Sequence, residues 1–301
     1  MRAEDLAAEF RIAGVLDFAT VGSGLVKAVV TLDGVAGELV LQGAQLTRWD
    51  PPGDHPVIFM SPNCIFAPGT AIRGGVPLIF PWFGPHRTAK EAPQHGFARV
   101  APWRLDSVER RGAGELTMTL SLTSEDSTSP FWPEAYRAVY TVTFGRALSL
   151  SLAVQNRAGH PIVFEEALHT YFAVSDIAGV SVTGLSGRTY IDKTDGMRRK
   201  TQQGAVTLAK ETDSLYLDTP NQRAIEDPAW RRRINVDSDG GASTIVWNPW
   251  TEKAAAMRDL GDPAWRGMIC VETGNAADNE VRLGADAEYR MSTQISVDAI
   301  G

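Results

Sequence analysis

Short runs in which apolar and polar residues alternate recur along this chain, and they constrain its fold more than any other feature. Residues 116–122 read LTMTLSL, 137–144 RAVYTVTF, 147–155 ALSLSLAVQ and 289–297 YRMSTQISV. Successive strand side chains point to opposite faces, so each run offers one face to a core. Residues 26–32 (VKAVVTL) and 38–41 add two more strands, with Asp33, Gly34 and Gly37 predicting the turn region between them. Helical spacing is scarce. Only residues 4–12, with Leu6, Phe10 and the alanines on one side, predict a short amphipathic helix. Turn residues fill the gaps, in keeping with 28 glycines and 17 prolines. The pattern predicts an all-β chain, a large antiparallel β-sandwich with few short helices. Sandwiches of this size often form one unit and no flexible linker interrupts the sequence, so residues 1–301 are expected to form a single domain. Two long irregular stretches, 51–102 and 212–242, carry tryptophans and other apolar residues. A long stretch without regular structure in a compact domain is usually functional.

Several function classes are excluded. A formal net charge of −7 leaves no basic excess for broad nucleic-acid binding, although one local anion pocket is compatible with it. No Gly-rich phosphate loop links a strand to a helix. No Gly-x-Ser-x-Gly elbow, His-x-x-x-His pair or Cys-x-x-Cys pair is present. Cys64 and Cys270 lie in apolar surroundings and are expected to be reduced, buried core thiols. The first residues, MRAEDLAAEFRIAG, do not read as a signal peptide, and no apolar run is long enough to span a bilayer. The expected location is the cytoplasm, with no membrane or nucleic-acid partner, and the sequence leaves the oligomeric state open, a monomer being compatible with it.

The polar residues worth weighing cluster in a few places. His55, His86 and His160 sit beside prolines in turn-like contexts. His95 lies in Gln94-His95-Gly96-Phe97-Ala98-Arg99, where the glycine would let backbone approach a ligand closely, or where the turn is simply structural. Residues 163–174 read as a strand that puts Phe164, Leu168 and Phe172 on one face and Glu165, Ala167, His169 and Tyr171 on the other. The polar face either meets solvent or lines a cleft. Glu166 falls on the apolar face, which requires a bulge or a buried polar pair. Glu272 is expected at a strand end just before a Thr-Gly-Asn turn, with Ile269 and Val271 facing the core. Arg73 precedes a Gly-Gly pair with aromatics behind it, and Arg99 follows the His95 turn. Arginine matches phosphate through two parallel charge-assisted hydrogen bonds, and the aromatics could pack on a sugar face, but both arginines could equally be surface residues. Arg231, Arg232 and Arg233 read as a solvated charge run. A histidine and carboxylate set without metal-ligand spacing suits proton transfer.

Taken together, AIRGGVPLIFPWFG, QHGFAR with Trp103, FWPEAYRAVYTV, LSLSLAVQN, EEALHTYFAV, NPWTEKAAAM and MICVETGN resemble the aldose 1-epimerase family, in particular its hexose-6-phosphate mutarotase branch. The likeness runs from about residue 70 to residue 275 and rests on the order of the blocks. It implies a galactose-mutarotase-like β-supersandwich, a reaction without cofactor or metal, and a small sugar phosphate as substrate. Carried over by motif, the general acid falls on His169 and the general base on Glu272. Arg73, Gln94 and Arg99 match substrate contacts, His95 shares their turn, and Asp213 matches the substrate-binding aspartate. Two positions depart from the family pattern: Ser214 stands where arginine is common, and Thr273 where proline is common. Other readings stay open at this level. They are a mutarotase of an unphosphorylated aldose, a non-catalytic sugar-phosphate-binding protein, and a lyase or glycosidase, which would want paired carboxylates across the bond.

Overall fold

The computed structural model describes residues 2–53 and 55–301. Two eight-stranded antiparallel sheets dominate it. One runs, in spatial order, through Ser181–Thr183, Gln222–Asp227, Arg232–Asp239, Glu288–Ala299, Leu148–Asn156, Tyr136–Phe144, Glu115–Thr123 and Arg104–Arg111. The alternating runs of the sequence are its middle strands. Tyr136–Phe144 buries every second residue, as a strand does when only one face meets a core. An N-terminal meander of four strands, from Leu16–Val21 to Gln45–Asp50, follows the helix Ala3–Phe10. Among the described residues no helix is long and apolar enough to cross a membrane.

The other large sheet differs in a way that decides where a site can form. Its order is Arg198–Thr201, Thr189–Asp192, Thr212–Tyr216, Ser243–Asn248, Met268–Asn275, Glu166–Leu168 and Leu78–Ile79, with Tyr171–Ala173 also paired to Met268–Asn275. Every residue of Ser243–Asn248 and of Met268–Asn275 is buried. Both faces of these strands are therefore covered. Val246, Ile269 and Val271 join the main core between the sheets, while Ile245, Trp247 and Cys270 join a smaller cluster on the outer face with Phe83, Ala167 and Tyr171.

The irregular segment 51–102 covers that outer face. It follows residues 165–173 through backbone hydrogen bonds: Glu165 N–H donates to Pro81 O, His169 N–H to Pro77 O, Tyr171 N–H to Gly75 O and Ala173 N–H to Val57 O. The predicted strand over 163–174 is thus broken into Ile162–Phe164, Glu166–Leu168 and Tyr171–Ala173, but its alternation survives. Phe164, Leu168 and Phe172 enter the main core, and Ala167 and Tyr171 the outer cluster.

Five expectations are corrected. Residues 212–242 are not irregular, because they contribute Thr212–Tyr216, Gln222–Asp227 and Arg232–Asp239. Their polar and charged side chains had masked the strand period. Gly37 is not a turn residue. It lies inside Val35–Val40, where a Cβ would stand 2.4 Å from the Phe144 ring. Thr273-Gly274-Asn275 is not a turn but the end of a continuing central strand, so Glu272 is an interior strand residue. Arg232 is not solvated: it is buried and donates to the carbonyls of Pro56 and Ala173. Cys64 is only half-buried, at the edge of a small cluster with Leu25, Val40 and Ile72, whereas Cys270 is fully buried.

Glu166 is the buried polar pair that the alternation required. Its Oε1 accepts from Asn275 Nδ2 at 3.0 Å, and its Oε2 is buried without a partner. Burial pushes this carboxyl up to about 8, although the Asn275 bond works in the opposite direction. Between the ordinary carboxyl range and pH 8 the unfolded chain has lost a proton that the folded chain retains. Stability should therefore fall as pH rises through that window, by about 1.4 kcal/mol per pH unit for this one group, and level off above it. Urea unfolding of Glu166→Gln should show a flatter dependence than wild type between pH 5 and about pH 8. Identical slopes would contradict the assignment.

Candidate active site

The residue that anchors the site is placed by sheet register. Leu168 pairs with Thr273 and Tyr171 with Cys270, so the register is the same on both sides of the break in the strand. His169 therefore falls directly across from Glu272. Their side chains meet, with His169 Nδ1 3.3 Å from Glu272 Oε1. The outer face carries two rows running across the strands. Glu272, Ile245, Leu215 and Ile191 form one, and Tyr171, Cys270, Trp247 and Asp213 the other. Glu272, Ile245, Leu215, Ile191, Trp247 and Asp213 line a cavity of about 1180 Å³, whereas Tyr171 and Cys270 lie beneath its surface. Arg73, Gln94, His95, Arg99, His169, Asp213 and Glu272, all seven of the residues singled out in the sequence, line it. None of His55, His86 and His160 does. His55 stacks on Trp230, His86 Nδ1 accepts from the Ala89 N–H, and His160 pairs with Glu134.

Burial sets the charge of the central pair. Glu272 is 1% and His169 8% exposed. Removal from water raises the Glu272 carboxyl well above the usual carboxylate range, because its charged form loses hydration. Burial likewise holds His169 well below the usual imidazole range, with further lowering by His95, Arg99 and Arg73. Burial thus disfavours the charged form of both side chains in the free protein. Among the described residues neither His169 Nδ1 nor Glu272 Oε2, both buried, has a hydrogen-bond partner. Such atoms cost about 1–3 kcal/mol each unless something else engages them. The His169 ring is stacked on Tyr171, with centroids 4.9 Å apart, and meets Trp247 edge-on.

His95 closes one side, its ring centroid 5.6 Å from that of His169. Its Nδ1 accepts from the Gly84 N–H at 3.2 Å, and its backbone N–H donates to the Gly84 carbonyl. With Nδ1 used as acceptor, a neutral His95 carries its proton on Nε2 and is a donor there. Burial first, then Arg99, Lys193 and Arg73, keep it neutral. The turn is tight for a reason other than ligand approach: a Cβ on Gly96 would stand 2.0 Å from the Phe80 carbonyl oxygen. Of the aromatics behind Arg73, only Phe83 lines the cavity, while Phe80 and Trp82 pack in the main core.

The two arginines are not equivalent. Arg73 Nε donates to Asp259 Oδ2 at 3.0 Å and its Nη1 donates to the Tyr171 hydroxyl at 3.1 Å. Arg99 Nη2 donates to the Gln94 carbonyl at 2.6 Å, and among the described residues Arg99 has no carboxylate within ion-pair reach. Burial lowers it to about 10, where it is still a cation at neutral pH. Sequence reasoning missed Lys193, which pairs with Asp213 at 3.3 Å and sits 4.4 Å over the Phe83 ring. It lies just past the strand Thr189–Asp192, and only strand pairing brings it here. Alternation in Ser243–Asn248 could have identified Trp247. Glu165 also reaches the cavity, but its oxygens are taken by the N–H groups of Phe83 and Ala277 and by Arg87.

Both departures from the family pattern point away from the cavity. Thr273 Oγ1 accepts from the buried Arg223 at 2.9 Å. Ser214 lines a separate pocket with Tyr190, Asp192 and Lys200.

A model of the family described as aldose 1-epimerase matches residues 30–296. Relatives named "Putative glucose-6-phosphate 1-epimerase" include two with more than a third of aligned residues identical. The one from Cenchrus ciliaris is 35% identical over 278 residues, covering 89% of this chain and 83% of its own length. The one from Escherichia coli (strain K12) is 36% identical over 249 residues, covering 82% of each. A crystal structure of a "putative mutarotase" from Salmonella typhimurium superposes with a TM-score of 0.89 at 30% identity, over 96% of both chains. A galactose mutarotase-like protein from Clostridium acetobutylicum, at 12% identity and a TM-score of 0.72 over 95% of this chain and 98% of its own, shares the fold.

The His95 turn gives a local test. Gly84 and Gly96 have φ of 72° and 69°, but a Cβ at Gly84 meets nothing within 4 Å. Gly84→Ala should cost about 1 kcal/mol in urea unfolding, and Gly96→Ala clearly more, roughly 3 kcal/mol. Equal losses would contradict the packing described.

Proposed function

This chain belongs to the aldose 1-epimerase family, and from that premise we propose that it is an isomerase interconverting the α and β anomers of a hexose 6-phosphate, with His169 as general acid and Glu272 as general base. The observation that carries the reading is the buried 3.3 Å contact between these two side chains, in two residues that line a cavity large enough for a sugar phosphate. Mutarotation removes a proton from the anomeric hydroxyl and delivers one to the ring oxygen. The ring opens, the aldehyde turns about its bond to the next carbon, and the reverse transfers close it on the other face. Both oxygens belong to one carbon, so acid and base must converge on a small space. Transfers of this kind contribute roughly 10²- to 10⁴-fold each.

Burial disfavours the charged form of both side chains in the free protein, whereas ring opening in these roles needs the proton on His169. Arg99 and Arg73 are among the charges that keep His169 neutral. A phosphate dianion against them cancels that repulsion and favours a proton on His169. Substrate binding thereby sets the working charge state. His95 Nε2–H and the Lys193–Asp213 pair supply a donor, a cation and an acceptor for sugar hydroxyls.

Selection for a phosphorylated sugar rests mainly on Arg99, a cavity cation with no carboxylate beside it among the described residues. The names of the Cenchrus ciliaris and Escherichia coli relatives agree with this reading. We also take residues 1–301 as one domain, since a single buried cluster takes in residues from Ala3 to Ile295.

Exchange NMR on sugar anomers tests substrate choice. Glucose 6-phosphate should be turned over with a kcat/KM at least about 10²-fold above free glucose or galactose, the worth of one or two charge-assisted hydrogen bonds. Arg99→Leu should lose about 10- to 100-fold on glucose 6-phosphate and little on glucose. Equal or better turnover of the neutral sugars would reject the phosphate assignment.

A further inference from the structure

The strand face that carries Glu272 also carries Cys270 two residues earlier, a side chain with no part in the proposed proton transfers. One ligand atom from each of His169, Cys270 and Glu272 lies within 4.8 Å of the other two, and all three residues are buried. Among the described residues His169 Nδ1 and Glu272 Oε2 have no hydrogen-bond partner. Imidazole nitrogen, sulfur and carboxylate oxygen thus converge at one point, with donor capacity unused.

We propose that His169, Cys270 and Glu272 form a binding site for a thiophilic divalent cation of the Zn²⁺ type, and that its occupancy switches catalysis off. The donor set selects the ion. Sulfur and imidazole suit Zn²⁺, whereas Mg²⁺ and Ca²⁺ want oxygen shells. Zinc-to-ligand distances place donors about 3.5 Å apart, so side-chain movements of about 1 Å would close the triad. A dication held by one thiolate and one carboxylate is neutral overall, which limits the cost of placing it where water is excluded. Binding takes Cys270 as the thiolate and Glu272 as the carboxylate, any proton they carry passing to solvent, with no change of oxidation state. Three protein ligands leave a fourth position for water from the cavity that His169 and Glu272 line. The bound ion would occupy both members of the acid–base pair. The inhibition therefore rests on the proposed function, but the binding does not.

The test titrates wild-type protein with Co²⁺ and, separately, assays anomer exchange in metal-buffered Zn²⁺. One equivalent of Co²⁺ should produce a thiolate-to-cobalt charge-transfer band. Zn²⁺ should inhibit in proportion to occupancy and release its inhibition to EDTA, while Mg²⁺ at the same concentration has no effect. Cys270→Ala should retain exchange activity within a few-fold, lose the band and bind Zn²⁺ at least about tenfold more weakly. Cys270→Ser serves as the second variant if alanine lowers the melting temperature. Absence of the band in wild type, or equal Zn²⁺ inhibition in wild type and in a folded Cys270 variant, overturns the inference. A band in wild-type protein that shows no anomer exchange would uphold the site while rejecting the proposed activity.

Discussion

Two ionisable side chains held together away from water are difficult to build, and the outer sheet is organised around doing so. The contact between His169 and Glu272 needs a strand whose two faces are both covered, because a carboxyl on an exposed face would stay hydrated and ionised at an ordinary pKa. Met268–Asn275 meets that need. Its inner side chains, Ile269 and Val271, join the main core, and its outer ones, Met268 and Cys270, pack in a second cluster to which the segment 51–102 contributes Phe59, Ile79 and Phe83. That segment also provides the Pro77 carbonyl that fixes the His169 backbone and the turn that brings in His95 and Arg99. The length of irregular chain is thus the structural cost of covering a face on which polar groups must remain free to meet a ligand.

Charge around the pair is graded. Arg73 is committed to Asp259 and Tyr171, Lys193 to Asp213, and Arg87 to Glu165 and Glu280. Arg99 alone among these cations has only a carbonyl. Among the described residues Arg99 is the one of these four cations without a carboxylate partner, so an anion entering the cavity gains most there. Burial first, and after it the same positive field, lowers the His169 imidazole, so an anion bound against these arginines would also act on the chemistry a short distance away.

Much of this was legible in the sequence. Alternation in residues 116–122, 137–144, 147–155 and 289–297 located middle strands of one sheet, and alternation through 163–174 separated His169 from Phe164, Leu168 and Phe172 correctly even though the strand is broken. The resemblance of ordered motifs brought seven residues together that the fold places around one cavity. What escaped notice has a common physical origin. The strands within 212–242 hide their period behind side chains such as Asp213, Arg223 and Arg232, whose polar ends are engaged inside the protein. Glu272 read as a strand-end residue because Thr273, Gly274 and Asn275 are turn formers. In fact Thr273 meets Arg223, Gly274 lies where a Cβ would be 2.8 Å from the Glu166 carbonyl oxygen, and Asn275 bonds to Glu166. Lys193 reaches the cavity only through pairing between strands distant in sequence, and no local pattern encodes that.

The central claim is that His169 and Glu272 act as one proton-transfer unit. The most direct measurement is exchange NMR between glucose 6-phosphate anomers at saturating substrate for wild type, His169→Asn, Glu272→Gln and the double variant. Each single change should lower kcat by about 10²- to 10⁴-fold. The double change should cost little more than either alone, because groups acting as a unit are strongly non-additive. Full activity in either single variant, or losses that simply add in the double variant, would contradict the account.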